Sequence, residues 1–120
     1  MAYRAAICDD CAADAQFVSE ILKAWADERG AEVNAEIYPS AESFLFAYDE
    51  NKAYDMLLLD IEMGGIDGVS MARRVRAGNK TVQIIFITGY SDYIAEGYDV
   101  AALHYLMKPV NREKLFSTAR

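Results

Sequence analysis

Met56-Leu57-Leu58-Leu59-Asp60-Ile61-Glu62-Met63-Gly64-Gly65-Ile66-Asp67-Gly68 is the stretch on which the reading of this chain turns. An unbroken apolar run stops at a carboxylate and gives way to a glycine-rich loop. Uninterrupted runs of this length suit a strand covered on both faces, as in a parallel sheet, because an exposed face would demand alternating polar residues. Asp60 is therefore expected at the carboxyl end of a buried strand. In open parallel sheets that edge lines the ligand crevice.

Toward the amino terminus the same grammar repeats. Arg4-Ala5-Ala6-Ile7-Cys8 is a short apolar run ending at Asp9-Asp10. Phe17, Val18, Ile21, Leu22 and Trp25 then recur at helical spacing, and Gly30 after Arg29 supplies a stop. Val33, Ala35 and Ile37 alternate with Asn34, Glu36 and Tyr38, the period of a strand with one more exposed face, which reads as an edge strand. Ser40 can cap a helix that has Glu42 in its first turn and carries Phe44, Leu45 and Tyr48 inward.

Toward the carboxyl terminus, Val69, Ala72 and Val75 give the next helix an apolar face closed by Gly78. Val82-Gln83-Ile84-Ile85-Phe86-Ile87 is a β-branched strand ending at Thr88-Gly89. Ser91 can cap a short helix through about Tyr98, and Ala102 to Met107 forms a fifth strand ending at Lys108-Pro109. Asn111 caps a last helix with Leu115 and Phe116, within which Arg120 falls. A strand-first alternation repeated five times, with right-handed crossovers, predicts an α/β domain. Its five-stranded parallel sheet is doubly wound, in the flavodoxin-like order 2-1-3-4-5, with helices on both faces.

Composition fits one such domain. The 120 residues are 53% hydrophobic and 26% charged, which excludes disorder. A net charge of -7 and a pI near 4.6 argue against this segment gripping nucleic acid through phosphates. No run is long enough to span a membrane and no signal-type h-region opens the chain, so a cytoplasmic location is expected. Cys8 and Cys11 form a C-x-x-C that could be a redox pair. Asp9 and Asp10 between them disfavour a thiolate, and the plain alternative is a buried apolar Cys8 beside an incidental Cys11.

Four strands thus end in reactive or small polar residues: Asp9 and Asp10, Asp60, Thr88 and Lys108. The strand order places the first and third strands together, bringing Asp9, Asp10 and Asp60 into one crevice. Three carboxylates kept ionised at neutral pH call for compensating charge, more than one ammonium supplies. Mg²⁺ suits such oxygen ligands, and Asp60 would be the nucleophile that forms an aspartyl phosphate. Thr88 and Lys108 would address the remaining phosphoryl oxygens. Singly, each residue has an ordinary use: Asp9-Asp10 as helix caps, Asp60 as a loop opener, Thr88 as a strand former. The sole histidine, His104, leaves no histidine cluster for a metal or a triad.

With Asp9-Asp10, Leu58-Leu59-Asp60-Ile61-Glu62-Met63, Ile85-Phe86-Ile87-Thr88-Gly89 and Lys108-Pro109 all present, the sequence resembles a response-regulator receiver domain over essentially its whole length. The resemblance implies that Asp60 accepts a phosphoryl group from a sensor histidine kinase. It implies that Mg²⁺ is held by Asp9, Asp10, Asp60 and the backbone carbonyl of Glu62, with Asp10 direct and Asp9 through water. Thr88 and Lys108 would contact phosphoryl oxygens, Lys108-Pro109 would be joined by a cis peptide, and Thr88 and Tyr105 would form the switch. The domain would catalyse its own phosphorylation and dephosphorylation without being a turnover enzyme. The region from Ser91 to Arg120 would serve effector contact or homodimerisation.

Departures from the family pattern are Gly64, where proline is common, and Gly89, where alanine or serine is usual. Glu62 and Tyr90 occupy positions that tune phosphate lifetime in the family. Thr88 through Tyr93, together with the run from Glu96 to Pro109, is similar to receivers of the LytTR type. The expectation is then a receiver cut from a longer protein near Arg120, with transcription controlled through an absent carboxyl-terminal DNA-binding domain. Two alternatives remain: a Mg²⁺-dependent aspartyl-phosphate phosphohydrolase of the haloacid-dehalogenase kind, and a receiver-like binding module that works unphosphorylated. For the first, the adjacent Asp9-Asp10 does not supply the usual Asp-x-Asp.

Overall fold

The computed structural model describes residues 2–61, 63–89, 104–108 and 110–118. In chain order these form β1 (Ala2–Cys8), α1 (Ala12–Glu28), β2 (Glu32–Tyr38), α2 (Ala41–Glu50), β3 (Met56–Leu59), α3 (Gly68–Gly78), β4 (Gln83–Thr88), β5 (His104–Met107) and α4 (Arg112–Thr118). The expected helix from Ser91 to about Tyr98 lies outside the described residues, as do Ala102, Leu103 and Arg120. So do Glu62, Tyr90 and Pro109.

All the strand pairs are parallel, and the sheet order is β2-β1-β3-β4-β5. The order is the expected one. Every residue of β3 is buried, as its unbroken apolar run requires. Alternation along the strands divides the core between two faces. Cys8, Leu57, Leu59, Ile84 and Phe86 pack with Phe44, Tyr48, Val69 and Val75 from α2 and α3. Ile7, Leu58, Ile85 and Ile87 pack with Val18, Leu22 and Trp25 of α1 and Leu115 of α4.

Helix ends follow local chemistry. The Ser40 hydroxyl accepts from the Ser43 amide at 3.1 Å, as expected of a cap, and Asn111 Oδ1 accepts from the Lys114 amide at 2.8 Å. Helix α1 closes at Gly30, whose φ of +64° suits the left-handed turn there, with the Ala31 amide reaching back to the Ala26 carbonyl. Asp67 caps α3 through the Ser70 amide at 2.8 Å. That cap went unread in the sequence, where Asp67 stands among turn residues.

Two expectations change. Phe17, expected on the buried stripe of α1, is 48% exposed; it sits one position before Val18, and a residue adjacent in sequence falls about 100° around the helix. On β2 Ile37 is exposed, as Glu32 and Asn34 are, while Glu36 is partly covered. The Arg4 guanidinium reaches the Glu36 carboxylate at 3.1 Å, and the Tyr54 hydroxyl donates to it at 2.8 Å. With its charge matched and hydrogen-bonded, Glu36 tolerates partial burial.

Candidate functional site

The carboxyl ends of β1, β3, β4 and β5 converge on one edge of the sheet. Ladder bonding continues one step past β1 and β3: the Asp60 amide donates to the Cys8 carbonyl at 2.8 Å, and the Asp9 amide donates to the Tyr38 carbonyl at 3.1 Å. This backbone pairing fixes Asp9 and Asp60 as neighbours. Asp9 and Asp60 are each only 6% exposed, whereas Asp10 is exposed. Carboxylate oxygens of Asp9, Asp10 and Asp60 all lie within 4.8 Å of one another. The three acids read from the sequence are therefore brought together.

Each carboxylate is also oriented. The Ile61 amide donates to Asp60 Oδ1 at 2.7 Å, and the Cys11 amide donates to Asp9 Oδ1 at 2.9 Å. The cap role considered for Asp9-Asp10 is not what the structure shows. The N-cap position of α1 is Cys11, without a side-chain cap bond, and Asp9 instead closes a local turn onto the Cys11 amide.

Lys108 arrives from the end of β5, its amide bonded to the Thr88 carbonyl at 2.9 Å. Its Nζ lies 2.8 Å from Asp9 Oδ2, 3.0 Å from Asp60 Oδ2 and 2.8 Å from Asp14 Oδ2. An ammonium has three donors, and here three carboxylates meet them. Burial works against the charge on Lys108, but the hydrogen bonds to Asp14, Asp9 and Asp60 outweigh it and hold the ammonium well above the usual lysine range. For Asp9 the balance falls the other way. Burial pushes its carboxyl above the ordinary aspartate value despite the hydrogen bonds from Lys108 and the Cys11 amide. Asp14, on the rim, is held below that value by its hydrogen bond from Lys108.

The Thr88 hydroxyl is fully buried and has no hydrogen-bond partner among the described residues. Polar groups in such positions are normally satisfied, and no described residue satisfies this one. Tyr105 is partly buried, its ring 6.0 Å from that of Phe86 and tilted by 50°. His104 lies in β5.

The loop after Asp60 is shaped by glycines. Gly64 has a φ of +70°, a conformation closed to proline, whose ring fixes φ near -65°. The family's common proline could not take this backbone. Gly68 opens α3 so close to β3 that a Cβ there would run into the Asp60 carbonyl oxygen and lie 3.1 Å from Ile61 Cα. Its amide donates to the Ile61 carbonyl at 2.8 Å. Glu42, read from sequence only as a first-turn acid of α2, reaches across and accepts from the Ile66 amide at 3.2 Å. Asp14 and Glu42 are the site's additions to the sequence reading; nothing in their local spacing marks either one.

The acids fit a hard divalent cation. All the side-chain donors are oxygens, two are nearly buried, and their spacing approaches the roughly 4 Å across an Mg²⁺ shell built from bonds of about 2.1 Å. Asp9, Asp10, Asp14 and Asp60 bring four carboxylates to a site with one ammonium, so negative charge remains uncompensated. The C-x-x-C offers no activated thiol at Cys8, which is buried and whose thiol is pushed far up by burial and by the Asp9 charge.

Comparison with known proteins agrees with this geometry. The family model of the response regulator receiver domain matches residues 6–120. The transcriptional regulatory protein RprY of Bacteroides fragilis is 34% identical over 85% of this chain and 43% of its own length. The sensory transduction protein LytT of Bacillus subtilis is 32% identical over 67% of this chain and 34% of its own length. The chain thus spans less than half of either relative. Among solved structures, the response regulatory domain of MrkE from Klebsiella pneumoniae superposes with a TM-score of 0.84 at 21% identity, covering 96% of this chain and 90% of that one. A CheY-like receiver domain protein from Methanospirillum hungatei gives 0.79 at 25% identity, covering 98% and 90%. Receiver, not phosphohydrolase, is what these matches support, and the chain belongs to the response regulator receiver domain family.

Proposed function

We propose that Asp60 is the phosphoacceptor of this receiver and that Mg²⁺ bound by Asp9, Asp10 and Asp60, with the carbonyl of Glu62, supports the transfer. The observation that carries this reading is the joint placement of three carboxylates, the Lys108 ammonium and the Thr88 hydroxyl, which has no partner among the described residues, at one strand-end edge. In the transfer, an Asp60 carboxylate oxygen attacks the phosphorus of a phosphohistidine on a sensor kinase. The new P–O bond forms as the P–N bond breaks, and the departing imidazole nitrogen takes up a proton. The metal supplies charge neutralisation for the phosphoryl oxygens. Ile61, through its amide, fixes the plane of the Asp60 carboxyl, and Lys108 and Thr88 donate to the other phosphoryl oxygens.

In the same reading the domain catalyses only its own phosphorylation and dephosphorylation. Thr88 drawn toward the phosphoryl group leaves room for the Tyr105 ring, biasing a pre-existing two-state equilibrium. A cis Lys108-Pro109 peptide belongs to this reading, with Pro109 outside the described residues. The region from Ser91 to Arg120 is the face for effector contact or homodimerisation, and the protein works in the cytoplasm. Output runs through a LytTR-type DNA-binding domain beyond these residues. The name of RprY supports a transcriptional output and that of LytT its type, and the domain's own acidity fits DNA contact made elsewhere. No described helix is long and apolar enough to cross a membrane.

The test is intact mass spectrometry after incubation with a small-molecule phosphodonor, with and without Mg²⁺. Metal-dependent gain of one phosphoryl group by the wild type and not by Asp60→Asn is expected. Labelling of Asp60→Asn at wild-type stoichiometry refutes the assignment, and a folded wild type that binds Mg²⁺ but takes no phosphate from donor or kinase favours the phosphorylation-independent module.

A further inference from the structure

Asp14 belongs to none of the roles above, yet it holds one of the three donors of Lys108. Its Oδ2 lies 2.8 Å from the ammonium, as close as Asp9 Oδ2, but its side chain is 47% exposed against 7% for Asp9 and Asp60. The ammonium is thus shared between two buried carboxylates that the metal reading assigns as ligands and one rim carboxylate that it does not. Asp14 and Lys108 also border a cavity of about 230 Å³ with Phe17, Val18, Ile87 and Val110. This gives the lysine side chain space on the α1 side.

We infer that Asp14 is a positioning residue, the holding point for Lys108 when a divalent cation takes Asp9 and Asp60; this rests on the metal reading of the preceding subsection. In the metal-free site Lys108 neutralises the two buried acids and competes with the cation for them. Binding of the cation strips the ammonium of two of its three partners. Retention of the third keeps a partly buried charge from being left unpaired, so the exchange costs less with Asp14 than without it. Asp14 acts on the cation through Lys108 and keeps the ammonium within reach of the Asp60 phosphoryl group.

The test is a Mg²⁺ titration followed by backbone amide shifts on wild type, Asp14→Asn, Asp14→Glu, Lys108→Met and the Asp14→Asn/Lys108→Met double variant. The amide spectrum reports folding of each protein at the same time. For a half-exposed ion pair, weakening of Mg²⁺ binding by about two- to fivefold is expected in Asp14→Asn. Asp14→Glu restores binding toward wild type, and in the Lys108→Met background the Asp14→Asn effect shrinks to the small residue of a long-range charge. Equal weakening in both backgrounds overturns the inference, because Asp14 would then act only through its own charge. Unchanged binding in Asp14→Asn, or failure of Asp14→Glu to restore it, overturns it as well, and the latter comparison needs no lysine variant. A wild type that binds no Mg²⁺ overturns the metal reading itself, and this one with it.

Discussion

Replacement of Lys108 by methionine separates the two roles the geometry gives its ammonium, holding the metal-free fold together and competing with the metal. Methionine keeps much of the apolar stem and removes the charge. The ammonium is 22% exposed in its side chain and pairs with Asp9 and Asp60, both 7% exposed. Removal of one partner from a buried pair costs about 3–5 kcal/mol, and the partial openness of this site points to the lower end, about 3 kcal/mol. Loss of the half-exposed Asp14 contact adds less than about 1 kcal/mol. With an unfolding entropy of about 2.1 cal/mol/K per residue over this chain length, about 3 kcal/mol lowers the Tm by roughly 12 °C. Mg²⁺ reverses the sign of the argument, because the variant has lost the competitor for Asp9 and Asp60. It binds the cation more tightly than the wild type, and because both proteins gain from the metal, a Kd about 100-fold lower recovers about 2.7 kcal/mol of the difference at saturation. Thermal unfolding with EDTA and with saturating Mg²⁺ measures both. The deficit should be large without metal and mostly erased with it. A Lys108→Met protein that melts with the wild type in EDTA, or whose deficit is the same in Mg²⁺, refutes the reasoning.

Gly68→Ala forces a methyl group against the Asp60 carbonyl oxygen, which lies in rigid backbone. Overpacking of about 1–3 kcal/mol, less the helix preference of alanine over glycine, should destabilise the domain and weaken Mg²⁺ binding together; urea titration and a metal titration check this, and an unchanged pair of values contradicts it. Cys11 is exposed and Cys8 buried with a thiol pushed up. Native alkylation at neutral pH should therefore stop at one adduct by mass spectrometry and reach two only in denaturant, and two adducts at equal native rates would contradict that burial. Because burial holds the Asp9 carboxyl above the ordinary aspartate value, its proton competes with the cation at higher pH than an ordinary aspartate allows. Mg²⁺ affinity should begin to fall on acidification while an unperturbed carboxylate is still fully ionised. Calorimetric titration at a series of pH values tests this, and affinity that stays flat down to the ordinary aspartate range speaks against it.

The sheet order and the three acids were legible because each is written locally. An apolar run that stops at a carboxylate states both a strand and its end, and the topology then does the assembling. Glu36 was misread because its cover comes from Arg4 and Tyr54, 32 and 18 positions away in the chain; alternation along β2 knows nothing of either. Asp14 was invisible for the same reason, since its partner Lys108 lies 94 positions away. As one more acid in the first turn of a helix, Asp14 carries a sufficient local explanation and invites no other. Phe17 shows the opposite failure: hydrophobicity at nearly the right spacing suggested burial that the turn angle of α1 does not give. Gly64 was marked as a departure from the family pattern, but only its positive φ explains why a proline is incompatible with this loop.

The sheet divides the interior into two packed halves that touch different helices and share only the strand backbones. Substitutions accumulating beneath α2 and α3 can be compensated there without consulting the residues beneath α1 and α4, and the reverse holds equally. A lineage can therefore drift in either compartment while the strand ends keep their spacing, since that spacing is set by main-chain pairing between Cys8, Asp60 and their neighbours. Divergence to 21% identity with a TM-score of 0.84 is the outcome such a partitioned interior permits.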